Sequence, residues 1–278
     1  HQYMEEKQYS DIFSTVQILV AMTPKHIKYM ANTTADLFNK DFAFEWQNPD
    51  DNKVVRNWTN FANMFLSIPM AHQMATQFTI LDGTKNKQML KVMRPYQVYA
   101  TKAVLEELKQ ADFDLPINRL GYVWHTTGSG KTITSFKTAW LASRMPNVDK
   151  VVFVVDRIAL TRQTEENYKA YDPEGSIDVE GKQFDSVGGT ENTRVLKRKL
   201  NEKGNGIIVT SVQKLNTLIS RKDFVVPKKH IIFIVDEAHR STGGDSFEEL
   251  QKTFKGAAWV GYTGTPMFDE VVGKKGTK

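Results

Sequence analysis

His125-Thr126-Thr127-Gly128-Ser129-Gly130-Lys131-Thr132 is the stretch whose reading decides the fold. It follows the apolar run Gly121-Tyr122-Val123-Trp124 and precedes a helical pattern with Ile133, Phe136 and Trp140 on one face. Strand, glycine-bearing loop, lysine, hydroxyl, helix is the context in which a phosphate-binding loop works. Gly128 and Gly130 let the backbone curl so that successive amides face one concave spot. The helix adds its unpaired N–H groups and positive dipole end. Lys131 brings a full charge to the β- and γ-phosphates, Thr132 offers a hydroxyl to Mg²⁺, and Thr126, Thr127 and Ser129 complete the cradle. The usual pattern opens with glycine six residues before the lysine; here His125 stands there. A glycine-rich turn that ends in Lys-Thr by chance is the alternative, and the flanking strand and helix argue against it.

Working outward, near-continuous apolar runs recur at Gly121–Trp124, Val151–Val155, Ile207–Val209, Ile231–Val235 and Ala257–Gly261. Such runs mark strands covered on both faces. Helical patterns lie between them, at Lys131–Arg144, Ala159–Ala170, Ser211–Ser220 and Ser246–Phe254. Alternation of this kind predicts a parallel, doubly wound sheet, with the ligand at the carboxyl ends of its strands. Asp172–Asn205 is polar and glycine-bearing, and reads as a surface insertion with a helix near Thr193–Leu200.

Two of the runs end in further chemistry. Ile231–Val235 leads into Asp236-Glu237-Ala238-His239, an acidic pair that is costly at the end of a buried strand unless it meets a cation or water. Asp236 would hold Mg²⁺ and Glu237 would orient and deprotonate the water that attacks the γ-phosphate. Taken alone, the pair reads equally well as a helix cap; a phosphate loop earlier in the chain favours the first reading. Ala257–Gly261 leads into Thr263-Gly264-Thr265-Pro266, which by itself is turn chemistry.

Composition narrows the class. The 278 residues are 40% hydrophobic and 25% charged and contain no cysteine, which excludes disulfides and thiolate metal sites. No apolar run approaches the ~20 residues of a membrane span, and a cytoplasmic protein is the default expectation. A formal charge of +5 and a pI of about 9.1 are compatible with a polyanionic partner.

The residues before 93 read differently. Phe13–Met22 and His26–Ala31 look like strands of a hairpin or sheet edge, separated by Thr23-Pro24. Leu37–Trp46 is dense in aromatics, which suggests packing. Trp58, Phe61 and Phe65 have helical spacing, and a second helix is expected from Ser67 with a buried stripe of Met70, Met74, Phe78 and Leu81. Asp82-Gly83 and the Lys-rich Thr84–Lys91 read as a loop and a domain boundary. From Arg94-Pro95 a helix is expected with Ala100, Val104, Leu108 and Ala111 on one face.

Gln97, the loop at 125–132, Asp-Glu-Ala-His at 236–239 and Thr-Gly-Thr-Pro at 263–266 occur in the order of superfamily 2 helicases and translocases. More closely, Met-Arg-Pro-Tyr-Gln-Val-Tyr-Ala (93–100), Trp-His-Thr-Thr-Gly-Ser-Gly-Lys-Thr (124–132), Phe-Val-Val-Asp-Arg (153–157), Ile-Val-Thr-Ser-Val-Gln-Lys-Leu (208–215) and Asp-Glu-Ala-His-Arg-Ser (236–241) resemble the R subunit of type I restriction enzymes. Ala31-Asn32-Thr33-Thr34 and Ser67–Gln73 extend the resemblance over nearly the whole chain, and in that family His125 is a usual variant at the head of the loop.

The resemblance implies a RecA-like P-loop parallel sheet with helices on both faces, preceded by the tail of a mixed α/β nuclease domain and a helical linker. The implied boundaries are 1–47 for the nuclease tail, 48–92 for the linker and 93–278 for the first motor lobe. It implies ATP and Mg²⁺ as cofactors, Gln97 and Arg94 on the adenine side, and Lys131, Asp236 and Glu237 as the catalytic set. Arg157, Thr210, Ser211, Gln213 and Lys214 match motifs that track the nucleic-acid backbone, where hydroxyls, helix N-termini and cations position without reading sequence. His239, Thr263 and Thr265 match positions that couple hydrolysis to DNA. The implied activity is ATP-driven translocation on double-stranded DNA before cleavage, in a complex with methyltransferase and specificity subunits. A stand-alone superfamily 2 helicase or repair translocase, and a docking module without activity of its own, are the alternatives. Family members carry the nuclease carboxylates and lysine upstream and a second lobe with an arginine finger downstream. From this the 278 residues alone are expected to hold no nuclease site and to hydrolyse ATP poorly.

Overall fold

Thr23-Pro24 breaks the first apolar run, and the chain turns back on itself there. Strands β1 (Ile18–Met22) and β2 (Ile27–Ala31) form an antiparallel hairpin, with Ile18 opposite Ala31 and Met22 opposite Ile27. The Thr23 hydroxyl accepts from the His26 N–H at 3.0 Å and closes the turn. A one-turn helix, α1 (Gln2–Glu5), precedes the hairpin. The structure is a computed structural model and describes residues 2–6, 11–83, 88–116, 118–126, 128–155, 164, 166–168, 170–171, 190–236 and 245–264. The chain divides into two units, residues 1–100 with 170–173, and residues 101–169 with 174–278.

The first unit is built on aromatic rings. Tyr29 of β2, Trp46, Phe61 and Phe65 are buried together, with ring centroids 4.8 Å apart for Tyr29–Phe65, 5.0 Å for Trp46–Phe65 and 4.9 Å for Phe61–Phe65. The Tyr29 hydroxyl meets its polar obligation by donating to the Met93 carbonyl at 2.9 Å. Helix α2 (Trp58–Phe61), capped by Asn57, runs on as a wider turn over Ala62–Leu66, which puts Phe61 and Phe65 on the inner side.

Helix α3 (Met70–Thr76) starts after Pro69, not at Ser67, and buries Met74. The expected stripe then breaks, because Thr79–Asp82 is a strand, β3, paired antiparallel with β4 (Met89–Val92). Ile80 is buried and Leu81 exposed, the period of a strand. The end of the stretch read as a loop, Met89–Lys91, therefore belongs to the partner strand. Local spacing suggested a helix to Leu81, but a ladder with a segment ten residues away won. Gly83 follows β3, where its N–H donates to the Ala170 carbonyl at 2.7 Å and an added Cβ would lie 3.0 Å from that oxygen. Helix α4 (Pro95–Lys109) buries Val98, Val104 and Leu108.

The second unit holds the predicted parallel sheet. Its strands are β5 (Asn118–Trp124), β6 (Lys150–Val155), β7 (Ile207–Ser211), β8 (Ile231–Asp236) and β9 (Ala258–Thr263). All are parallel, in the order β5-β9-β8-β6-β7. Each expected apolar run is a strand of this sheet. The interior strand β6 is buried along its whole length, as its unbroken Val-Val-Phe-Val-Val requires.

Helices cover both faces. On one face Phe233, Trp259, Val152 and Val154 pack against α6 (Thr190–Asn201), α7 (Val212–Ile219) and α8 (Asp245–Thr253) through Leu196, Leu200, Leu215, Leu218, Phe247 and Leu250. Phe233 and Trp259 are register partners and stack at 4.1 Å. On the other face, Phe153 meets Tyr168, which meets Phe136 of α5 (Lys131–Ala142). This is the RecA-like α/β class expected from the sequence. Helix α5 ends at Ala142, short of the expected Arg144, since Pro146 lies just beyond. Among the described residues no helix is long and apolar enough to cross a membrane.

Candidate nucleotide site

Strand β9 lies between β5 and β8, so the carboxyl ends of these three strands bring together the loop after Trp124, Asp236 and Thr263. Gly128 and Gly130 hold φ of 78° and 82°, the left-handed conformation that the loop needs and that side chains resist. A Cβ on Gly128 would meet nothing within 4 Å, so the demand there is conformational and not steric. Gly130 occupies the cap position of α5 and offers no side chain to cap it. Lys131 is the first residue of the helix and Thr132 the second, both at the end where the dipole favours an anion.

The decisive distance is between the two halves of the site. Lys131 Nζ lies 2.9 Å from Asp236 Oδ1, with the two side chains 22% and 20% exposed. Residues 105 positions apart in sequence thus meet as a partly buried ion pair at the head of the sheet. Sequence reasoning assigned them to one nucleotide; the structure places them in contact.

His125 is the residue whose role the sequence did not reveal. Its side chain is 3% exposed, its N–H donates to the Thr263 carbonyl at 2.8 Å, and its Nδ1 lies 2.8 Å from Ser129 Oγ. The Ser129 hydroxyl itself donates to the Thr126 carbonyl at 2.6 Å, so in the His125–Ser129 bond the proton belongs to Nδ1. The imidazole is stacked on Tyr262 at 6.1 Å. Burial, and then the charge of Lys131, hold its pKa below the usual histidine value, so the neutral ring is favoured. Histidine at the head of the loop therefore links Ser129 to the end of β9. Only the family resemblance made His125 look ordinary; its partners are distant in sequence or carry no pattern.

Beneath the loop, the inner face of α5 is more polar than Ile133, Phe136 and Trp140 suggested. Thr134, Ser135 and Thr138 are buried, and Thr138 Oγ1 lies 2.7 Å from the Tyr262 hydroxyl and 2.9 Å from the Thr134 carbonyl. Burial pushes the Tyr262 phenol above its usual pKa. Trp140 is flanked by cations, with Lys137 Nζ 4.3 Å and Arg144 Cζ 3.5 Å from its ring centre.

The remaining candidates are placed as follows. In the first unit, Gln97 Oε1 accepts from the Arg94 N–H at 2.9 Å, the side-chain half of a capping box at the start of α4, and the Arg94 guanidinium lies over the Phe44 ring at 4.8 Å. At the end of β7, Thr210 and Ser211 are fully buried, and the Ser211 hydroxyl caps α7 by accepting from the Lys214 N–H. Lys214 is buried and Gln213 exposed. Thr263 is buried beside His125. Thr127, Arg157, Glu237, His239 and Thr265 lie outside the described residues. Among the described residues no cluster of three or more His, Asp or Glu side chains could hold a metal.

Against this geometry, the SWI2/SNF2 ATPase family profile matches residues 96–278. The endonuclease subunit of a type I restriction enzyme from Staphylococcus aureus is 33% identical over 268 residues, covering 95% of this chain and 27% of its own length. The C-terminal part of a type I restriction enzyme endonuclease subunit from Mycoplasma pneumoniae is 37% identical over 219 residues, covering 75% of this chain and 99% of that protein. The chain belongs to the type I restriction endonuclease subunits. It carries the family's superfamily 2 ATPase domain, and it spans about a quarter of the length of the staphylococcal subunit. Among solved structures, a nuclease-deletion mutant of the Type ISP restriction-modification enzyme LlaGI in complex with a DNA substrate mimic is similar at TM-score 0.47 and 20% identity, over 64% of this chain and 18% of that one. A Sulfolobus solfataricus SWI2/SNF2 ATPase core in complex with double-stranded DNA is similar at TM-score 0.45 and 16% identity, over 70% and 34% of the two chains.

Proposed function

We propose that this chain is the first motor lobe of a type I restriction endonuclease subunit, and that it couples ATP hydrolysis to translocation on double-stranded DNA ahead of cleavage. The observation that carries the reading is the Lys131–Asp236 contact at the mouth of a loop shaped by two left-handed glycines. A lysine and a carboxylate there fit a nucleotide with its metal: the lysine suits phosphate oxygens, and Asp236 with the Thr132 hydroxyl suits Mg²⁺, which typically takes one or two carboxylates and the substrate's phosphates. Mg²⁺ held there would neutralise charge that develops on the phosphates. Lys131 would leave Asp236 for the phosphates, Asp236 and Thr132 would hold the metal, and Glu237 would orient the attacking water. The amides after Thr126, with Thr127, Gly128, Ser129 and Gly130, form the cradle, while Gln97 and Arg94 read the adenine.

In the same reading, Arg157, Thr210, Ser211, Gln213 and Lys214 form the path to the DNA backbone, and His239, Thr263 and Thr265 couple the two. The bond from His125 to Thr263 supports that coupling role, since it makes the end of β9 part of the loop's own frame. Residues 1–47 belong to a nuclease domain, 48–92 to a linker and 93–278 to the motor lobe, acting in the cytoplasm with methyltransferase and specificity subunits. By themselves the 278 residues bind nucleotide but turn it over slowly. Among the described residues there is one parallel sheet, and an arginine from a facing lobe is worth about 10³–10⁵ in rate in related phosphoryl-transfer enzymes.

The test is a nucleotide titration and a phosphate-release assay on the chain and its Lys131→Ala variant. ATP-Mg binding lost with the fold intact is the expected result. Undiminished affinity in the variant would remove the loop assignment, and DNA-stimulated turnover at the rate of a complete motor would remove the claim of slow hydrolysis.

A further inference from the structure

The positive charge of this chain is not spread evenly. Residues 190–230 contain ten lysines and arginines against three acidic residues, a net +7 in a chain whose total is +5, so the remainder carries a net −2. Part of this charge is gathered round one open groove of about 660 Å³, between α6 and the segment that joins α7 to β8. Arg194, Lys197, Arg198 and Asn201 line it from α6, at the i, i+3, i+4 and i+7 spacing that puts them on one helix face over ~10 Å. On the inner side of the same helix Leu196 and Leu200 are fully buried in the core, which fixes the cationic face to the sheet.

Arg221 lines the other side and is held in place. Its Nε donates to Asp223 Oδ1 at 2.9 Å and its Nη1 to Thr193 Oγ1 at 3.3 Å. Lys197 reaches the same carboxylate, at 2.9 Å, and Arg198 pairs with Glu202 at 3.1 Å. Arg194 is exposed and has no ion pair among the described residues. The groove belongs to the edge strand β7 and to the segments entering β7 and β8 at their amino ends, whereas the nucleotide loop leaves β5, the opposite edge, at its carboxyl end.

We propose that this groove is a second DNA contact, which binds the phosphate backbone of duplex DNA without reading its sequence. Several oriented cations along ~10 Å match a backbone with one charge per ~3.4 Å of each strand, and phosphate contacts of this kind position a protein without specifying bases. The lining side chains are all charged or amide, with no aromatic ring among them, so the groove is matched to a run of anionic groups, and the regular charge spacing of a duplex backbone suits it. The proposal rests on the motor reading only in choosing DNA as the polyanion.

The experiment measures binding of a labelled duplex to the full chain by anisotropy, between roughly 50 and 200 mM salt, where such contacts weaken steeply. Arg194→Gln with Arg198→Gln is expected to flatten the slope of log affinity against log salt by about 2, equally on two duplexes of unrelated sequence. The double variant Lys25→Gln with Lys40→Gln, which removes the same charge from exposed sites elsewhere, is expected to leave the slope unchanged. Should the first pair unfold the protein, Arg194→Gln alone carries the test, with a change of about 1. An unchanged slope, an equal effect of the lysine pair, or no duplex binding by the parent chain overturns the proposal. Polyglutamate bound as tightly as DNA, with the same salt slope, assigns the groove to an acidic protein instead. Nucleotide affinity, titrated separately, stays unchanged in the arginine variants, so failure here and failure of the nucleotide site read differently.

Discussion

The nucleotide loop and the α6 groove are both cationic regions of the second unit, yet they are built on opposite terms. At the loop a single lysine, one-fifth exposed, faces one carboxylate at 2.9 Å, and glycine conformation and a helix end provide the rest. In the groove stand four cations and two carboxylates; the paired side chains range from 26% exposed at Arg221 to 63% at Arg198, and the carboxylates pair with three of the cations. Exposed pairs contribute about 0–1 kcal/mol and are screened by salt. A partly buried charge, by contrast, is strongly coupled to its partner, so its removal is felt. The difference teaches that local charge count is a poor guide to a chemical site: in the readings proposed above, the richer cluster offers adhesion and the sparse one directed chemistry.

Several changes would break or sharpen that contrast. Trp259→Ala attacks what the two regions share, since this ring stacks on Phe233 in the core that also seats α6. It is expected to cost about 3–5 kcal/mol in denaturant unfolding, and a loss under 1 kcal/mol would mean that the sheet face is not packed as described. Lys131→Ala comes next: nucleotide affinity falls by about a hundredfold or more, as for truncation of one member of a desolvated charge pair. That loss persists at raised salt, unlike the effect of the groove variants. Gly130→Ala forces a side chain into φ of 82°, at a cost of about 1–2 kcal/mol. It should weaken nucleotide binding by roughly tenfold and leave the salt slope for DNA alone; equal binding by wild type and variant would show that the loop relaxes elsewhere.

The smallest effect is in pH. His125 is held below its usual pKa by burial and by Lys131, so on acidification the unfolded chain takes up a proton before the folded one does. Stability from this group is complete above about pH 6.5 and is lost as pH falls through the folded value. His125→Gln should reduce the drop in unfolding free energy on going from neutral to mildly acidic buffer. An identical pH profile in the variant would show that the ring titrates normally.

How much of this was legible in the sequence depends on where the determining contacts lie. The parallel sheet was legible because five apolar runs each carry their own signal, and Lys131 and Asp236 because each follows such a run. The hairpin of β3 and β4 was not, because the spacing of Met70, Met74, Phe78 and Leu81 fits a helix, and only pairing with Met89–Val92 ends it at Thr76. The His125–Ser129 link and the Tyr262–Thr138 hydrogen bond were not legible either. Histidine in a glycine-rich loop has no periodicity, and a threonine such as Thr138 on the inner face of a helix looks like a solvent position until a tyrosine 124 residues away supplies its partner.

Placing β9 between β5 and β8 has a mechanical consequence. Two strand spacings set the carboxyl ends of β5 and β8 about 10 Å apart, and the ladders on both sides of β9 resist any change in that figure. The sheet is thus a fixed gauge, and the adjustable part is the lysine's four-carbon arm, whose Nζ meets Asp236 at 2.9 Å. In the proposed reading, exchange of a carboxylate for a phosphate at Nζ is then a swing of one side chain within an unmoved frame.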